Sequence, residues 1–335
     1  MTETVRISLD DATTLIVSAL TPAGVPEDAA RSVACALVAA EAEGQVGHGF
    51  SRLDDYVAQV RSGKINAGAK ITTTAHRPAS LLTNADFGFA YPAMDAALAA
   101  GLPVAEELGV AVMGIANSHH CGALSVQVDK IARAGLMGMM FAHSPKAIAP
   151  WGAAKAVFGT NPIAFSAPRP GQHPLVIDLS LSKVARGKVM NAHKAGKPIP
   201  EGWALDAEGN PTTDAEAALA GTMVPAGEAK GTALALMVEI LAAVFTGSAL
   251  SVEASSFFNP DGPSPRVGQT LIAIRPNEEG THFADRLETL LGLIEGLDGA
   301  RLPGTRRIAA LEAAKAEGLM VPKHYIDGAR RLAAA

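Results

Sequence analysis

The chain has 335 residues, of which 48% are hydrophobic and 18% charged, with a formal net charge of -5 at pH 7. This length predicts a large buried core and one or two domains. The acidic balance argues against a nucleic-acid-binding protein, which needs a basic face to neutralise phosphates. The sequence shows no apolar run of signal-peptide length at its start and none of the ~18 residues that a membrane span requires. We therefore expect a cytoplasmic enzyme whose two cysteines are reduced.

The first seventy residues predict three helices. Ser8 is a candidate N-cap for a helix over residues 9–20. Pro26, followed by two acidic residues, begins a second helix that ends at Gly44. Ser51 is expected to cap the third helix.

A glycine-rich bend over residues 44–52 joins the second and third helices. It carries His48 and Arg52, and Arg52 falls in the first turn of the third helix. Glycine backbone leaves space for a ligand beside an imidazole, and a guanidinium suits a carboxylate. This bend, called the histidine loop below, is the candidate catalytic segment.

From residue 71 the pattern changes to short apolar runs that alternate with helical periodicity. The predicted strands cover residues 71–74, 80–83, 109–116, 136–142, 163–167, 175–179 and 270–274. The predicted helices cover about residues 91–108 (with a kink or break at Gly101 and Pro103), 124–134, 232–245, 283–294, 306–316 and 323–333. The strand over residues 109–116 delivers the polar segment 117–122 at its C-terminal end, where α/β proteins usually place functional residues.

Standard signatures are missing from this sequence. There is no G-x-G-x-x-G between a strand and a helix, no P-loop and no nucleophile elbow. His119, His120 and Cys121 are consecutive, so their side chains point in different directions and are poorly suited to one metal ion. We expect no metal site.

Two basic segments stand out in an otherwise acidic chain. Residues 183–202 and the loop 301–307 carry clusters of Lys and Arg that suit cofactor phosphates, although a solvated charged surface explains them equally well. Lys230 precedes a strongly apolar helix, so it lies where backbone donors favour an anion.

Several motifs together resemble one family. They are residues 47–52 (GHGFSR) with 56–57 (YV), 117–120 (NSHH), 158–162 (FGTNP), Asp178 with 185–188 (ARGK), 230–231 (KG) before 237–239 (MVE), and 302–304 (LPG) with 306–307 (RR). In this order they resemble the type-2 malate/L-lactate dehydrogenase family. That family includes ureidoglycolate and sulfolactate dehydrogenases and the Δ1-piperideine-2-carboxylate/Δ1-pyrroline-2-carboxylate reductases.

The resemblance implies an α/β, non-Rossmann NAD(P)-binding fold with a largely antiparallel sheet and a separate helical N-terminal region. Residues 1–70 would form that region and pack with the C-terminal helices of residues 281–335, while residues 71–280 would form the sheet domain. A homodimer is expected, with the site near the subunit interface. The partners would be a small imino or oxo acid, with no nucleic acid and no membrane.

The resemblance also assigns roles to residues. The His48 counterpart donates the proton when a 2-oxo or 2-imino acid is reduced, while Arg52 and Thr160 contact the substrate. Histidine titrates near neutrality and so suits that proton transfer independently of the resemblance. The cofactor-binding set would be His119, His120, Cys121, Asp178, Leu179, Ser180, Arg186, Gly187, Lys188, Lys230, Arg301, Gly304, Arg306 and Arg307. For His119 and His120, a structural hydrogen-bonded role is the alternative.

The sequence departs from the family pattern at Gly47, where relatives commonly have a serine that the imine reductases use in a charge relay. Lys188 resembles the malate and lactate enzymes, since the imine reductases have aspartate there. His119 and the stretches 200–213 and 226–253 resemble the imine reductases instead.

From this balance we expect an NAD(P)H-dependent reductase of cyclic 2-imino acids, which converts Δ1-pyrroline-2-carboxylate to L-proline or Δ1-piperideine-2-carboxylate to L-pipecolate. The alternative is a 2-hydroxyacid dehydrogenase acting on malate, L-lactate, sulfolactate or ureidoglycolate. A catalytically silent binding subunit is the second alternative, motivated by Gly47. NADPH is expected over NADH because of Lys188, Lys194, Arg306 and Arg307.

Overall fold

The computed structural model describes residues 3–277 and 282–335. The helices are α1 Leu9–Leu20, α2 Glu27–Ala42, α3 Leu53–Arg61, α4 Ala90–Leu108, α5 Leu124–Arg133, α6 Arg186–Lys194, α7 Ala215–Ala220, α8 Ala229–Glu239, α9 Phe283–Glu295, α10 Thr305–Glu317 and α11 Lys323–Ala333. The strands are β1 Thr4–Ile7, β2 Thr72–Arg77, β3 Ser80–Asn84, β4 Val110–Ser118, β5 Met137–Ala142, β6 Ile163–Ala167, β7 Leu175–Leu179, β8 Ala204–Leu205, β9 Pro211–Thr212, β10 Thr222–Met223, β11 Val267–Ile274 and β12 Leu319–Pro322.

A seven-stranded sheet forms the centre, in the order β2-β3-β4-β11-β5-β6-β7. Only the β3–β4 pair in this sheet is parallel, and every other neighbouring pair is antiparallel. The predicted α/β class and the largely antiparallel sheet are therefore confirmed. A three-stranded sheet of β8, β9 and β10 and the β1–β12 pair complete the strands of the described residues.

The two faces of the central sheet belong to two hydrophobic cores. In β5, Met140 packs in the core that holds α4 and α5, whereas the next residue, Phe141, packs in the core beneath α8. In β11, Leu271 and Ile272 divide in the same way. This alternation follows from the two-residue period of a strand.

The ends of the chain meet in the helical part. Strand β1 pairs with β12, and α11 contacts both α1 and α3. The first core runs without interruption from these helices to the sheet, including Ile16, Ile326 and Ile115. Strand β4 lies within this core and carries the chain towards His119 and His120.

Two predicted helices differ from their observed forms. α4 continues through Pro103 without the expected break, and Gly101 lies against Met113 of β4 within it. The helix predicted over residues 232–245 instead starts at Ala229 and changes to π-helical geometry over Ile240–Val244. Within the described ranges, no helix combines the length and the apolar character needed to cross a membrane.

Gly101 generates a prediction on stability. A Cβ at this position would lie 2.2 Å from Met113 Sδ, and Met113 is fully buried. Replacing a helical glycine by alanine normally stabilises by about 1 kcal/mol, but overpacking here costs about 1–3 kcal/mol. We expect Gly101→Ala to lower the free energy of unfolding in urea titrations, and Met113→Val to restore part of the loss.

Gly292 of α9 is the matched control, because a Cβ there meets no heavy atom within 4 Å. Gly292→Ala should be stabilising. An equal gain from both substitutions would show that Met113 moves aside freely and that the close approach of α4 to β4 needs no glycine.

Candidate functional site

The histidine loop consists of two short 3-10 turns, Val46–His48 and Phe50–Arg52. α2 ends before Gly44, whose φ of 74° favours glycine. The predicted N-cap role of Ser51 is wrong: its hydroxyl donates to the Val46 carbonyl (2.7 Å), and the residue before α3 is Arg52, without a side-chain cap. Ser51 thus closes the loop on itself.

Glu41 of α2 holds the middle of the histidine loop in place. Its buried carboxylate accepts a hydrogen bond from the Phe50 N–H (2.9 Å). A Cβ on Gly49 would lie 1.9 Å from Glu41 Oε2, so glycine is required there for the chain to approach. Burial raises the pKa of Glu41 from 4.5 to about 7, although the Phe50 hydrogen bond opposes the rise.

Arg52 is held over the loop that precedes it. Its Nε donates to the Gly47 carbonyl (2.8 Å), and Nη1 lies 3.9 Å from Asp55 Oδ2. The guanidinium carbon lies 4.6 Å from the centre of the Phe258 ring, a cation–π distance. Only 14% of the Arg52 side chain is exposed, so its charge acts in a partly desolvated site.

His48 stacks on His120. The ring centres are 5.4 Å apart and the planes differ by 12°. His120 Nδ1 lies 2.6 Å from the Tyr56 hydroxyl, which lies 2.9 Å from the Tyr91 hydroxyl. Gly47 offers no hydroxyl, and His48 Nδ1 is buried without a hydrogen-bond partner in the described part of the chain. The ring is therefore positioned by stacking.

His119 is fully buried behind this stack. Its Nε2 donates to Gln59 Oε1 (2.8 Å), since the Gln59 amide nitrogen is already donating to the Phe257 carbonyl (3.0 Å). Phe257 packs against both His119 and His120, with ring centres 5.4 and 5.2 Å apart. His119 is thus fixed in one tautomer by α3.

All three imidazoles are neutral at pH 7. Burial, followed by the charge of Arg52, lowers the pKa of His48 from 6.5 to about 4. The pKa of His119 falls to about 3 through burial and the charges of Lys64 and Arg52. Burial, followed by Arg52, places the pKa of His120 well below its ordinary value. A neutral His48 is ready to accept a proton and must first gain one in order to donate it.

Thr160 lies beside the end of β7. Its N–H is held by Ser144 Oγ (3.1 Å), and its carbonyl accepts from the Leu181 N–H (2.9 Å). The next residue, Asn161, donates to the buried Glu239 carboxylate (2.9 Å). These contacts join Thr160 to the predicted segment that contains Asp178, Leu179 and Ser180.

A buried ion pair links the C-terminal end of α2 to the first turn of α10. Arg307 Nη1 lies 2.5 Å from Glu43 Oε1, while Glu43 Oε2 accepts from Ser125 Oγ (2.8 Å). The Ser125 N–H in turn donates to Asp178 Oδ2 (2.8 Å). Part of the charge of Arg307 is therefore already neutralised by Glu43.

Cys121 and Gly304 lie close to this network. The Cys121 thiol is buried, and burial followed by the charge of Asp178 raises its pKa to about 12, so the thiol stays protonated. A Cβ on Gly304, at φ 83°, would come within 3.0 Å of the Val176 carbonyl, so glycine lets the loop approach β7. No group of three His, Cys, Asp or Glu in residues 3–277 and 282–335 is arranged to hold a metal.

Four more of the predicted cofactor-binding residues lie at the starts of two helices. Arg186, Gly187 and Lys188 open α6, and Lys230 lies in the first turn of α8. The segments before these helices are joined by the hydrogen bond from the Lys183 N–H to the Val224 carbonyl (2.8 Å). Two neighbouring helix N-termini with cationic side chains fit the phosphates of a dinucleotide.

The basic residues of this cofactor-binding set differ in their exposure and in their hydrogen bonds. Lys188 and Lys230 are exposed, whereas Arg186 donates to the Leu219 carbonyl (3.0 Å) and is partly buried. Arg301 and Arg306 are exposed around the start of α10. The Lys194 side chain lies outside the part of the chain that the structure describes.

Sequence reasoning missed several residues of this site. Glu41 was visible as a lone carboxylate on the apolar face of α2, a signal of a buried functional or anchoring group. Phe257 and Phe258 form an aromatic pair within a polar loop of a chain with only 4% aromatic residues. Tyr56 and Gln59 are both buried on α3, but no local pattern reveals that their polar ends reach His120 and His119.

Comparisons with known proteins identify the family of this chain. The model for the malate/L-lactate dehydrogenase family matches residues 7–328. The chain belongs to this family. Its resemblance to the type-2 malate/L-lactate dehydrogenases is thus confirmed, and the protein is an oxidoreductase.

Three relatives of this family member stand out. The chain is 49% identical over 327 residues to a (2R)-3-sulfolactate dehydrogenase (NADP(+)) of Chromohalobacter salexigens, covering 98% of both chains. It is 37% identical to a Δ1-pyrroline-2-carboxylate reductase of Ancylobacter novellus, covering 96% of both. It resembles the crystal structure of a Δ1-piperideine-2-carboxylate reductase from Pseudomonas syringae with a TM-score of 0.93 and 34% identity, covering 98% of this chain and 99% of that one.

The anchoring role of Glu41 in this family member generates a prediction on pH dependence. Since its pKa is raised from 4.5 to about 7 in the folded state, that state binds more protons than the unfolded state between these values. Stability must therefore fall as pH rises through this window. We expect Glu41→Gln, which keeps an oxygen for the Phe50 N–H, to reduce this slope and to gain on the order of 2 kcal/mol above pH 7.

The measurement is chemical unfolding at several pH values from 4.5 to 8. Glu27→Gln, at the exposed start of the same helix, is the control and should keep the wild-type slope. A Glu41→Gln profile parallel to that of the wild type would contradict the burial of a titrating carboxyl at this position.

Proposed function

We propose that this family member is an NADP-dependent oxidoreductase that interconverts 2-hydroxy acids and 2-oxo acids, with 3-sulfolactate as the first candidate substrate. The observation that carries this proposal is the 49% identity over 98% of both chains to a (2R)-3-sulfolactate dehydrogenase (NADP(+)). The same substrate class was the alternative in the sequence analysis, where Lys188 supported it.

The site geometry supports a substrate with a carboxylate next to the reacting carbon. We propose that Arg52 pairs with that carboxylate, because its Nε is held by Gly47 and the Nη1–Nη2 edge suits bidentate pairing. Thr160 would contact the substrate from the end of β7. The nicotinamide, when bound, exchanges a hydride with C2 of the substrate.

His48 transfers the proton in this proposal. When a 2-hydroxy acid is oxidised, its hydroxyl proton must leave, and neutral His48 accepts it as a general base. When a 2-oxo acid is reduced, protonated His48 returns the proton to the oxygen. The low pKa of His48 in the free protein favours the first direction at pH 7.

The cofactor surface is proposed to run from His119, His120 and Cys121 past Asp178, Leu179 and Ser180 to the starts of α6 and α8. Arg186, Gly187, Lys188 and Lys230 would meet its phosphates, and Arg301, Gly304, Arg306 and Arg307 would line its other side. NADPH over NADH is supported by the exposed Lys188 and Arg306 and by the NADP(+) of the sulfolactate relative. Arg307 supports it less, because Glu43 shares its charge.

The domain division and the dimer are proposals as well. We propose that residues 71–280 form a non-Rossmann cofactor-binding unit, while residues 1–70 and 281–335 form the helical part; the boundary falls among residues 278–281, outside the described ranges. Homodimer formation is supported by an exposed apolar stripe at i, i+4 and i+8. It consists of Leu236, Ile240 and Val244, which are 49%, 48% and 60% exposed.

Reduction of cyclic 2-imino acids is the second candidate. It is supported by the TM-score of 0.93 to a Δ1-piperideine-2-carboxylate reductase and by relatives of that activity at 36–38% identity. His119 also supports this candidate, because the histidine at this position resembles the imine reductases. Gly47 weighs against it, because it leaves His48 Nδ1 without a hydroxyl partner.

A substrate panel tests the proposal. The purified protein should oxidise 3-sulfolactate with NADP+ at a higher kcat/KM than malate or lactate, and at a higher kcat/KM than with NAD+. It should reduce Δ1-pyrroline-2-carboxylate and Δ1-piperideine-2-carboxylate with NADPH more slowly. Turnover of the imines alone would reverse the order of the two candidates, and no NADP(H) binding at all would favour a catalytically silent subunit.

Gly47 offers a sharper test. A Cβ at this position meets no heavy atom within 4 Å, so Gly47→Ser and Gly47→Ala should both fold as the wild type does. Serine adds a hydroxyl beside His48 and alanine does not. We expect only Gly47→Ser to raise imine reduction relative to hydroxy-acid oxidation, and equal ratios in both variants would show that the missing hydroxyl does not set substrate preference.

The pH profile reports on His48. In hydroxy-acid oxidation, kcat/KM should decrease only as pH falls towards 4, since neutral His48 is the active form. In oxo-acid reduction, kcat/KM should fall as pH rises above that value. His48→Gln should cost about 10²–10⁴-fold in kcat in both directions, whereas His76→Gln, at an exposed position on β2, should cost nothing. An unchanged rate in His48→Gln would remove His48 from the reaction.

A further inference from the structure

The loop of residues 256–261 lies over the site and is held at its backbone by a buried lysine. Lys64, which follows α3 and is only 2% exposed, donates from Nζ to the carbonyls of Ser256 (2.7 Å), Asn259 (3.1 Å) and Asp261 (2.8 Å). An ammonium has three donors, and here each meets a main-chain oxygen. The lysine thus fixes the path of the loop.

Two more residues at the end of α3 hold the same loop. Gln59 donates to the Phe257 carbonyl (3.0 Å), and Ser62 donates to the Pro260 carbonyl (3.0 Å). Since α3 also begins directly after Arg52, the same helix is joined to the backbone of Arg52 and holds the loop that lies over its guanidinium.

The loop presents two aromatic rings to the site. Phe257 is buried against His119 and His120. Phe258 is 59% exposed, and its ring lies over the Arg52 guanidinium, 4.6 Å from Cζ to the ring centre. The ring face attracts the guanidinium, and the exposed remainder of the ring is available to contact a ligand.

We propose that residues 256–261 form the wall of the substrate pocket, with Phe258 as a specificity-determining residue and Lys64 as the positioning residue that holds the wall in place. The inference rests on the proposed function of Arg52 as the group that binds the substrate carboxylate. It adds to that function the element that selects how an acid approaches Arg52.

The physical effect of Phe258 is to restrict and strengthen the contact with the acid. Arg52 Nε is used by the Gly47 carbonyl and one face of the guanidinium is covered by Phe258, so an incoming carboxylate meets the Nη1–Nη2 edge. The ring also keeps water from that face, and an ion pair is stronger where water is excluded. Binding of the acid then depends on the ring, whereas proton transfer at His48 does not.

The first experiment removes the ring. Phe258→Ala should raise KM for the 2-hydroxy acid by about five- to tenfold, the range of a partly desolvated cation–π contact, with kcat and the KM for NADP+ unchanged. Phe258→Leu, which keeps an apolar cover, should recover part of the loss. Val252→Ala, at an exposed apolar position outside this loop, is the control. An unchanged KM for the acid in Phe258→Ala overturns the proposal.

The second experiment tests whether Lys64 acts through the ring. Lys64→Met keeps the length of the side chain but removes its donors, and should raise KM for the acid to a similar extent. In the Phe258→Ala background it should add no further rise, because both changes remove one contact. Full additivity in the double variant overturns the positioning role. Lys70→Met is the control for a lysine at an exposed position, and Ser62→Ala gives a milder loosening of the same loop if Lys64→Met does not fold.

A third measurement tests the loop proposal independently of the proposed function. The rate at which a dicarbonyl reagent modifies Arg52, followed by peptide mass spectrometry, depends on the cover over the guanidinium and not on turnover. Phe258→Ala and Lys64→Met should each raise this rate by at least about twofold, in line with a lost contact of this class, without changing the rate at the exposed Arg61. If no acid or imine is turned over, the proposed function falls, while unchanged Arg52 rates would overturn the loop proposal by themselves.

Discussion

The hydrogen bond from the Phe50 N–H to the buried Glu41 carboxylate is the contact on which the site geometry depends. The two 3-10 turns of the histidine loop are too short to hold a shape on their own, since each contains few internal hydrogen bonds. The anchor fixes the middle of the loop, and the glycine at position 49 lets the chain come close enough to reach it. His48 and Arg52 lie on either side of this fixed point, so both side chains inherit their positions from α2.

Arg52 links substrate binding to the charge state of His48. Its positive charge is the second cause, after burial, of the low pKa of His48, and it also lowers the pKa values of His119 and His120. A carboxylate paired with Arg52 would neutralise that charge and so make protonation of His48 easier. Under the proposed function, His48 is uncharged in the free protein. A bound acid substrate raises the pKa of His48 back towards its ordinary value. Proton donation is then tied to the presence of the substrate.

The sequence allowed the prediction of elements whose patterns are local. α1, with Ser8 as its N-cap, and the strands over residues 163–167 and 175–179 appear within a residue of their expected bounds. The candidate segment around His48 was recognisable because glycines, an imidazole and a guanidinium are consecutive. Contacts between distant segments were not predictable. From the sequence, Arg307 is indistinguishable from an unpaired basic residue, because its partner Glu43 lies at the other end of the chain. The hydrogen bonds from Lys64 to residues 256–261 depend on packing that no sequence periodicity encodes.

Under the proposed function, Gly47 connects the fold to the choice of substrate. Its Cβ position is open and its φ is not positive, so neither packing nor backbone strain requires glycine. The proposed effect of this residue is therefore chemical: without a hydroxyl at this position, His48 Nδ1 has no hydrogen-bond partner among the described residues that would stabilise the protonated ring. Reduction of an oxo acid needs that protonated ring, because hydride addition leaves an alkoxide. Oxidation of a 2-hydroxy acid needs the neutral ring, which is the form that this site already favours.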